Sequence, residues 1–392
     1  MENYLFVLGR ETELCLAELS TLLSVFDPSA VILTVAPDVA VVHPINNFDP
    51  LWWVNRLGGT RLIAKQLATV SALTPEAVND LLDVRIREVV VSGPNVPPHI
   101  RSQILKGLKR LRPKLRYREQ ADSYAASGLS ERLIRRDDAA EVLVIKTGAE
   151  FVISTVVAVQ NAHAWAERDR GLPAVDAVAG MLPPKLARIM VNLAEPSRHR
   201  RDALSAPSAD RESNGLNHSG VLFDPFCGSG QIPIEALRLG WKVRASDLDP
   251  NAIERTNANL DWAIGRYELD RTAILDVSQA DISSVTQDVS PASIDAIVAE
   301  PDLGPALRLN DPTPPAPVLN RVRDTVAATF TAGRTLLRIT GGLILVIPKI
   351  AGVRIYDRLD AGATSGYILE ESFTYARPDA RVEREIFVFD KK

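Results

Sequence analysis

The sequence predicts an α/β protein whose C-terminal half forms a doubly wound sheet with an antiparallel last strand. Strand and helix patterns alternate regularly from residue 221 to residue 348. A glycine-rich turn follows the first of these strands, and two more strand patterns, at 373–376 and 385–389, close the chain as an antiparallel pair. Such alternation is typical of a mostly parallel sheet with helices on both faces.

The first 160 residues show a less regular pattern of short strands and helices, which predicts α+β modules. Residues 4–8 form a strand pattern, and residues 98–111 place apolar side chains on one helical face. Two strand patterns, 142–147 and 151–159, flank Gly148-Ala149, which favours a hairpin.

Four regions follow from these patterns and from composition. The predicted regions are an N-terminal module at 1–72, a second module at 73–160, a linker at 161–184 and the sheet domain at 185–392. Inside that last domain, the segment 195–219 is rich in Arg, Ser, Asp and Asn and has almost no apolar anchors. It is therefore predicted to be a flexible loop.

Composition limits the classes of protein to which the chain can belong. The chain has 392 residues, a formal net charge of -4 and two cysteines, Cys15 and Cys227. Two cysteines far apart exclude a disulfide framework and match no zinc-site spacing, so we expect no metal site and a reducing, cytoplasmic environment. No stretch has the length and apolarity of a membrane span or a signal peptide, which agrees with that expectation.

The turn after the strand 221–223 is the strongest functional motif in the sequence. It reads Asp224-Pro225-Phe226-Cys227-Gly228-Ser229-Gly230, and Gly228 and Gly230 allow a ligand to approach the backbone closely. The residues after Gly230 depart from the dinucleotide fingerprint, which argues against a nicotinamide dehydrogenase. We interpret the turn as an S-adenosylmethionine site in which Asp224, Phe226, Gly228 and Gly230 contact the cofactor.

Two further acids follow neighbouring strands at the same predicted edge of the sheet. Asp247, with Leu248 beside it, ends the second strand, where an acid can accept hydrogen bonds from ribose hydroxyls. Asp249 precedes Pro250 and is the expected N-cap of the next helix. Asp281 follows a third strand pattern, where it is either a ligand for the adenine amino group or a solvated loop residue.

The segment Glu300-Pro301-Asp302-Leu303, after the strand 294–299, carries the candidate catalytic residues Glu300, Pro301 and Asp302. Together with the glycine-rich turn it resembles the amino-methyltransferases, whose tetrapeptide is usually Asp or Asn, Pro, Pro and an aromatic residue. A carboxylate and a backbone carbonyl there accept the N–H bonds of a base amine, which attacks the sulfonium methyl group. Glu, Asp and Leu at the first, third and fourth positions depart from that pattern.

Segments outside the two motifs indicate which family of amino-methyltransferases the sequence resembles. The segments 4–19 and 56–65, and the later segment 180–194, resemble the THUMP-containing tRNA guanosine N2-methyltransferases, including those acting on guanosine 10. The resemblance implies a ferredoxin-like module, a THUMP module that binds tRNA, and a Rossmann-like class I methyltransferase domain. Some members of that family need a small activator subunit and others act alone, and the sequence leaves both this and the oligomeric state open.

A run of basic residues between 106 and 118 contains no acid and suggests an RNA contact. The run consists of Lys106, Lys109, Arg110, Arg112, Lys114, Arg116 and Arg118. A solvated helix face is the alternative interpretation of this run. Arg132, Arg135 and Arg136 extend the run, and Arg198, His199, Arg200 and Arg201 lie in the predicted loop.

These observations predict an S-adenosylmethionine-dependent enzyme that methylates the exocyclic N2 of a guanosine in tRNA. Two alternatives stay open: a catalytically impaired RNA-binding protein that retains the methyltransferase fold, and a DNA amino-methyltransferase. Asp302 and Leu303 motivate the first alternative, because they depart from the catalytic pattern. The shared glycine-rich turn motivates the second.

Overall fold

The structure is a computed structural model of the chain, and it describes most of the 392 residues. The described residues are 2–43, 48–119, 124, 127–176, 181–195, 220–308, 310–377 and 380–392. The chain divides into two compact units, Met1–Ala166 and Glu167–Lys392. No helix among the described residues is long and apolar enough to cross a membrane.

The first unit is built on one mixed sheet. Its strands are β1 (Tyr4–Leu8), β2 (Val31–Ala36), β3 (Val39–His43), β4 (Thr60–Val70), β5 (Glu88–Ser92), β6 (Arg116–Arg118), β7 (Ala139–Thr147) and β8 (Glu150–Val159). Its helices are α1 (Thr12–Phe26), α2 (Pro50–Arg56), α3 (Pro75–Leu81), α4 (Pro98–Leu111), α5 (Ser127–Ile134) and α6 (Ala162–Arg170), whose end extends into the second unit. The strand order is β2-β3-β1-β4-β8-β7-β5-β6.

The two predicted front modules share this sheet, because β4 pairs antiparallel with both β1 and β8. Each half keeps its own helices: α1 and α2 pack on one apolar cluster and α4 on another. The buried carboxylate of Glu18 in α1 accepts the backbone N–H groups of Gly58 and Gly59, each at 2.8 Å, which fixes the entry into β4. The predicted boundary at 72/73 therefore falls just after the joining strand.

The second unit contains the predicted doubly wound sheet. Its strands are β9 (Val221–Asp224), β10 (Lys242–Asp247), β11 (Ile274–Gln279), β12 (Ile294–Ala299), β13 (Leu337–Ile350), β14 (Val353–Arg354), β15 (Tyr367–Tyr375) and β16 (Val382–Lys391). Its helices are α7 (Pro184–Leu193), α8 (Gln231–Arg238), α9 (Pro250–Tyr267) and α10 (Ala316–Leu336). The strand order is β11-β10-β9-β12-β13-β16-β15, and β14 pairs with β13.

Strand direction in this sheet confirms the prediction of an antiparallel last strand. β9 to β13 pair in parallel, whereas β16 runs antiparallel to both β13 and β15. The fully buried strand β12 and the inner face of α10, including Val326 and Phe330, form the centre of the core. The carboxyl ends of β9, β10 and β12 therefore meet at one edge of the sheet, where ligands of such folds bind.

The segment predicted as a linker, 161–184, begins with the helix α6, and the boundary between the two compact units falls within it. Arg168 of that helix is buried and forms an ion pair with the buried Glu235 of α8, with 2.7 Å between Nε and Oε1. Arg188 of α7 bonds the same carboxylate, and its Nε donates to Glu235 Oε2 at 2.6 Å. This buried ion cluster joins α6 and α7 to α8. The predicted flexible loop lies outside the described residues, except for Glu195, which is buried.

Candidate functional site

The glycine-rich turn connects β9 to α8 and is held from both sides by backbone contacts. Gly228 and Gly230 have φ values of 56° and 83°, in the left-handed region that only glycine enters without strain. The Cys227 amide donates to the Ser246 carbonyl at 2.9 Å, which ties the turn to the end of β10. The turn thus exposes backbone at the carboxyl edge of the sheet.

Asp247 bonds the turn directly and also shapes the residues that follow it. Its Oδ2 accepts the Gly228 N–H at 2.9 Å and its Oδ1 accepts the Asp249 N–H at 3.0 Å. Each oxygen keeps a second lone pair that can accept a ligand hydroxyl. Asp249 caps α9 by accepting the Asn251 N–H at 2.9 Å, which confirms its predicted structural role. The side chain of Leu248 is 63% exposed and offers an apolar surface next to Asp247.

Asp281 lies beyond β11 at the same edge and is exposed. Its Oδ1 accepts both the backbone N–H and the hydroxyl of Ser283, at 2.8 and 2.7 Å, so Oδ2 is the oxygen left for a ligand. These residues line one wall of a groove of about 400 Å³, and α10 forms the opposite wall with Asn320 and Arg321. The groove is large enough to receive a planar ring system beside Asp281.

Glu300 occupies the first position after β12 and is mostly buried. Its Oε1 accepts Arg384 Nε at 2.5 Å, and its Oε2 lies 3.4 Å from Arg384 Nη2. The β9–β12 register, with Ile297 beside Phe223, brings Glu300 level with the start of the glycine turn. Pro301 is buried and continues the chain away from this edge.

Asp302 contacts its own loop and α10. Its Oδ1 accepts the Gly304 N–H at 2.9 Å and its Oδ2 accepts Arg321 Nη2 at 3.1 Å. Its side chain is 54% exposed. These contacts shape the turn after Pro301 and leave Glu300 as the acid of this segment that lies nearest the glycine turn.

Three acids therefore converge at the carboxyl edge of the sheet. Burial holds the pKa of Asp224 well above its usual range, and the negative charges of Asp247 and Glu300 raise it further. Burial also raises the pKa of Glu300, whereas the Arg384 guanidinium opposes that shift. Cys227 is a buried residue of the turn, and burial raises the pKa of its thiol as well, so it does not supply a thiolate.

The sequence did not single out Asn259 and Arg255 of α9, which fasten the turn to the segment before α7. The Asn259 amide donates to the carbonyls of Ser229 and Ala174 at 2.8 and 2.6 Å, and its Oδ1 accepts the Ala174 N–H at 3.0 Å. Arg255 lies 3.2 Å from Asp176. The spacing of Asn259 and Arg255 on one helix gives no signal by itself, because their partners are set by tertiary packing.

The predicted RNA-contact run lies in the first unit and contains both structural and exposed basic residues. Arg112 is structural, because its guanidinium donates to the Asn79, Leu82 and Asp83 carbonyls at the end of α3. Lys109 donates to the Leu115 carbonyl at 2.7 Å and remains exposed. The remaining side chains of the run are exposed: Lys106, Arg110, Lys114, Arg116 and Arg118.

The carboxylate of Glu88 pairs with three arginines in or next to this run. Arg118, Arg132 and Arg136 donate to its carboxylate at 3.2, 2.9 and 2.6 Å. Burial alone would raise the pKa of Glu88, but these three hydrogen bonds outweigh it and lower the pKa to about 2. The cluster thus keeps a positive excess beside the exposed lysines and arginines. Arg198, His199, Arg200 and Arg201 lie outside the described residues.

Comparison with known proteins shows what the second unit resembles. Residues 212–309, which contain the glycine turn, Asp247, Asp281 and Glu300, match the family UPF0020, RMKL-like methyltransferase domain. The second unit therefore contains a part that is similar to a methyltransferase domain. Its strand order, with β16 antiparallel, is that of the class I methyltransferase fold, as predicted.

Solved methyltransferase structures agree with this fold over the whole chain. The crystal structure of TrmN from Thermus thermophilus aligns over all of both chains, with a TM-score of 0.57 and 16% identity. A possible methylase from Clostridium difficile 630 aligns over the whole chain and 98% of its own, with a TM-score of 0.50 and 12% identity. At these identities the likeness shows the fold alone.

Similar curated sequences cover only part of the chain. A tRNA (guanine(10)-N2)-dimethyltransferase of Methanothermobacter thermautotrophicus is 31% identical over 126 residues, which span 32% of this chain and 28% of that protein. Its counterpart from Methanocaldococcus jannaschii is 30% identical over 128 residues, or 29% of that protein. A ribosomal protein L11 methyltransferase of Clostridium botulinum is 35% identical over 80 residues, or 24% of that protein. The matches thus span less than a third of these relatives.

Proposed function

We propose that the protein transfers a methyl group from S-adenosylmethionine to the exocyclic N2 of a guanosine in tRNA, in the cytoplasm. The observation that carries this proposal is the position of Glu300 and Pro301 beside the glycine turn, at the ends of the adjacent strands β12 and β9. Two of the relatives named above are tRNA (guanine(10)-N2)-dimethyltransferases, which supports the choice of acceptor.

The residues at the sheet edge fit the cofactor. Gly228 leaves room for close approach to the backbone, because a Cβ there would meet only the Phe226 carbonyl, at 3.9 Å, and the free lone pairs of Asp247 suit two ribose hydroxyls. Asp281 Oδ2, beside the groove, suits the adenine amino group. Phe226 and Leu248 supply apolar contact, and the Glu300 carboxylate, paired with Arg384, complements a cationic sulfonium.

The bound cofactor would supply an electrophilic methyl group on sulfur. Glu300 and the Pro301 carbonyl are placed to accept the two N–H bonds of an extruded guanine amine, which concentrates electron density on nitrogen. The Glu300 carboxylate, held by Arg384 Nε, would accept the proton that the methylated nitrogen releases. Asp302 shapes the loop that presents Pro301.

The basic surface of the first unit is the proposed contact for the tRNA backbone. Exposed Lys106, Arg110, Lys114 and Arg116 neutralise phosphates, whereas Arg112 holds α3 and α4 together. Binding of this kind releases counterions and weakens as salt rises. As part of the same proposal, the first half of this unit is a ferredoxin-like module and the second half is a THUMP module.

A side-by-side comparison of methyl acceptors tests the proposed function. The purified chain is incubated with methyl-labelled S-adenosylmethionine and, in parallel, with unmodified tRNA, ribosomal protein L11 and duplex DNA. The proposal predicts label in tRNA alone. Label confined to L11 or to DNA would refute the RNA acceptor, and tRNA retention without label, with the cofactor bound, would favour the non-catalytic alternative.

A further inference from the structure

An arginine from a distant strand holds the proposed catalytic acid. Arg384 lies near the start of β16, opposite Pro348 of β13 in the antiparallel ladder. Its side chain reaches Glu300, at the end of β12 on the other side of β13, with the 2.5 Å bond from Nε to Oε1. The two residues are 84 positions apart in sequence, so the contact depends entirely on the strand order.

Burial and Arg384 have opposite effects on the charge state of the Glu300 carboxyl group. The Glu300 side chain is 14% exposed and that of Arg384 is 25% exposed. Burial favours the neutral carboxyl, and the positive charge of Arg384 favours the carboxylate. Since a neutral carboxyl loses acceptor capacity and cannot take a proton, the proposed chemistry needs the ionised form.

Other charged groups near this edge do not replace Arg384. Asp224 and Asp247, at the ends of β9 and β10, are negative when ionised and disfavour a second carboxylate nearby. Lys349 of β13 pairs with Glu383 at 3.0 Å, and Arg354 of β14 pairs with Glu385 at 2.8 Å. Within the described part of the chain, Arg384 is the cation that contacts Glu300.

Resting on the proposed function, we propose that Arg384 is a positioning residue for methyl transfer: it favours the carboxylate form of Glu300 and fixes the direction of its unused lone pairs. A carboxylate has about four lone-pair sites, and the guanidinium occupies one on each oxygen. The remaining sites accept N–H bonds from the target amine. Arg384 therefore acts through Glu300 and does not itself contact the methyl group.

The test compares Arg384→Gln and Arg384→Lys with the exposed control Arg377→Gln. Single-turnover methyl transfer is measured across pH at saturating cofactor. In R384Q, the pH below which the rate falls should rise by about one unit or more, which is about a tenfold loss of rate at acidic pH. R384K should restore most of the wild-type profile, and R377Q should match the wild type. An equal loss at every pH in R384Q, with the acidic limb unmoved, would overturn the proposal.

A second measurement follows the protonation of Glu300 and does not depend on methyl transfer. Infrared difference spectra follow the protonated carboxyl band during a pH titration, and Glu300→Gln identifies the contribution of Glu300. The Glu300 band should appear at higher pH in R384Q than in the wild-type protein. The same titration in both proteins would contradict the role of Arg384 even if the chain transfers no methyl group. Absence of guanosine methylation by the wild type, with a shifted band, would instead count against the proposed function alone.

Discussion

Asp247 Oδ2 accepts the backbone N–H of Gly228 at 2.9 Å, so the proposed ribose ligand also fixes the glycine turn. Replacing Asp247 with Ala removes this bond together with the acceptors proposed for the ribose. We expect D247A to weaken S-adenosylmethionine binding by about 1–3 kcal/mol, the usual cost of leaving a buried polar group unpaired. Isothermal titration calorimetry measures this change directly.

Asp249 provides the matched control, because it caps α9 and is proposed to make no cofactor contact. D249A should lower the free energy of unfolding by about 1 kcal/mol, as loss of an N-cap does, and leave cofactor affinity unchanged. Equal losses of affinity in D247A and D249A would show that the effect is structural and would remove the ribose assignment.

Gly230 should resist substitution even by Ala. Its φ of 83° lies in the left-handed region, and an added Cβ would lie 3.4 Å from Thr256. G230A should cost about 1–2 kcal/mol of stability and weaken cofactor binding. Thermal unfolding with and without cofactor measures both effects.

Gly265 of α9 is the control glycine for that substitution, since a Cβ there meets no atom within 4 Å. Because Ala has the higher helix propensity, G265A should stabilise the protein by about 0.5–1 kcal/mol. A G230A protein as stable and as tightly binding as G265A would show that the turn does not constrain the site.

Glu235 should be a strong stability determinant of the second unit. It is fully buried and bonds Arg168 and Arg188, and Arg238 lies 3.8 Å away. Removing its charge leaves buried guanidinium groups uncompensated, so E235Q should destabilise by about 3–5 kcal/mol. Chemical denaturation measures this value.

The exposed Glu254 of α9 serves as the comparison, and E254Q should change stability by no more than about 0.5 kcal/mol. A loss in E235Q as small as this would mean that the arginines find other acceptors. The ion cluster would then not be what anchors α8, and with it the glycine turn, to α6 and α7.

Lys114 and Arg116 should contribute to tRNA binding through charge alone. Both side chains are exposed. Their joint replacement by Ala should reduce the slope of log affinity against log salt by about 2, or about 1 per phosphate contact. Fluorescence anisotropy with labelled tRNA at several salt concentrations measures the slope.

Arg85 is a suitable control for that pair, because it is exposed but bonds Asp83 at 2.8 Å. R85A should leave the slope unchanged. If the double variant and R85A have the same slope as the wild type, the basic run is a solvated surface, as the alternative interpretation of the sequence holds.

Local features were predictable from sequence, and long-range pairings were not. The Asp249 cap and the glycine turn are encoded within a few residues, so their spacing is sufficient. The Glu300–Arg384 pair depends on β13 lying between β12 and β16, which no local pattern reveals. No strand was predicted at β4, whose sequence does not alternate cleanly. Both faces of its start are buried, with Ile63 in one apolar cluster and Leu62 and Ala64 in another.

The most direct measurement of the central claim is the identity of the methylated nucleoside. Unmodified tRNA is treated with the protein and S-adenosylmethionine carrying a deuterated methyl group, then digested and analysed by mass spectrometry. The account predicts label on N2 of guanosine, lost in the Glu300→Gln protein. Label found only on adenosine, cytidine or another position of guanosine would contradict it.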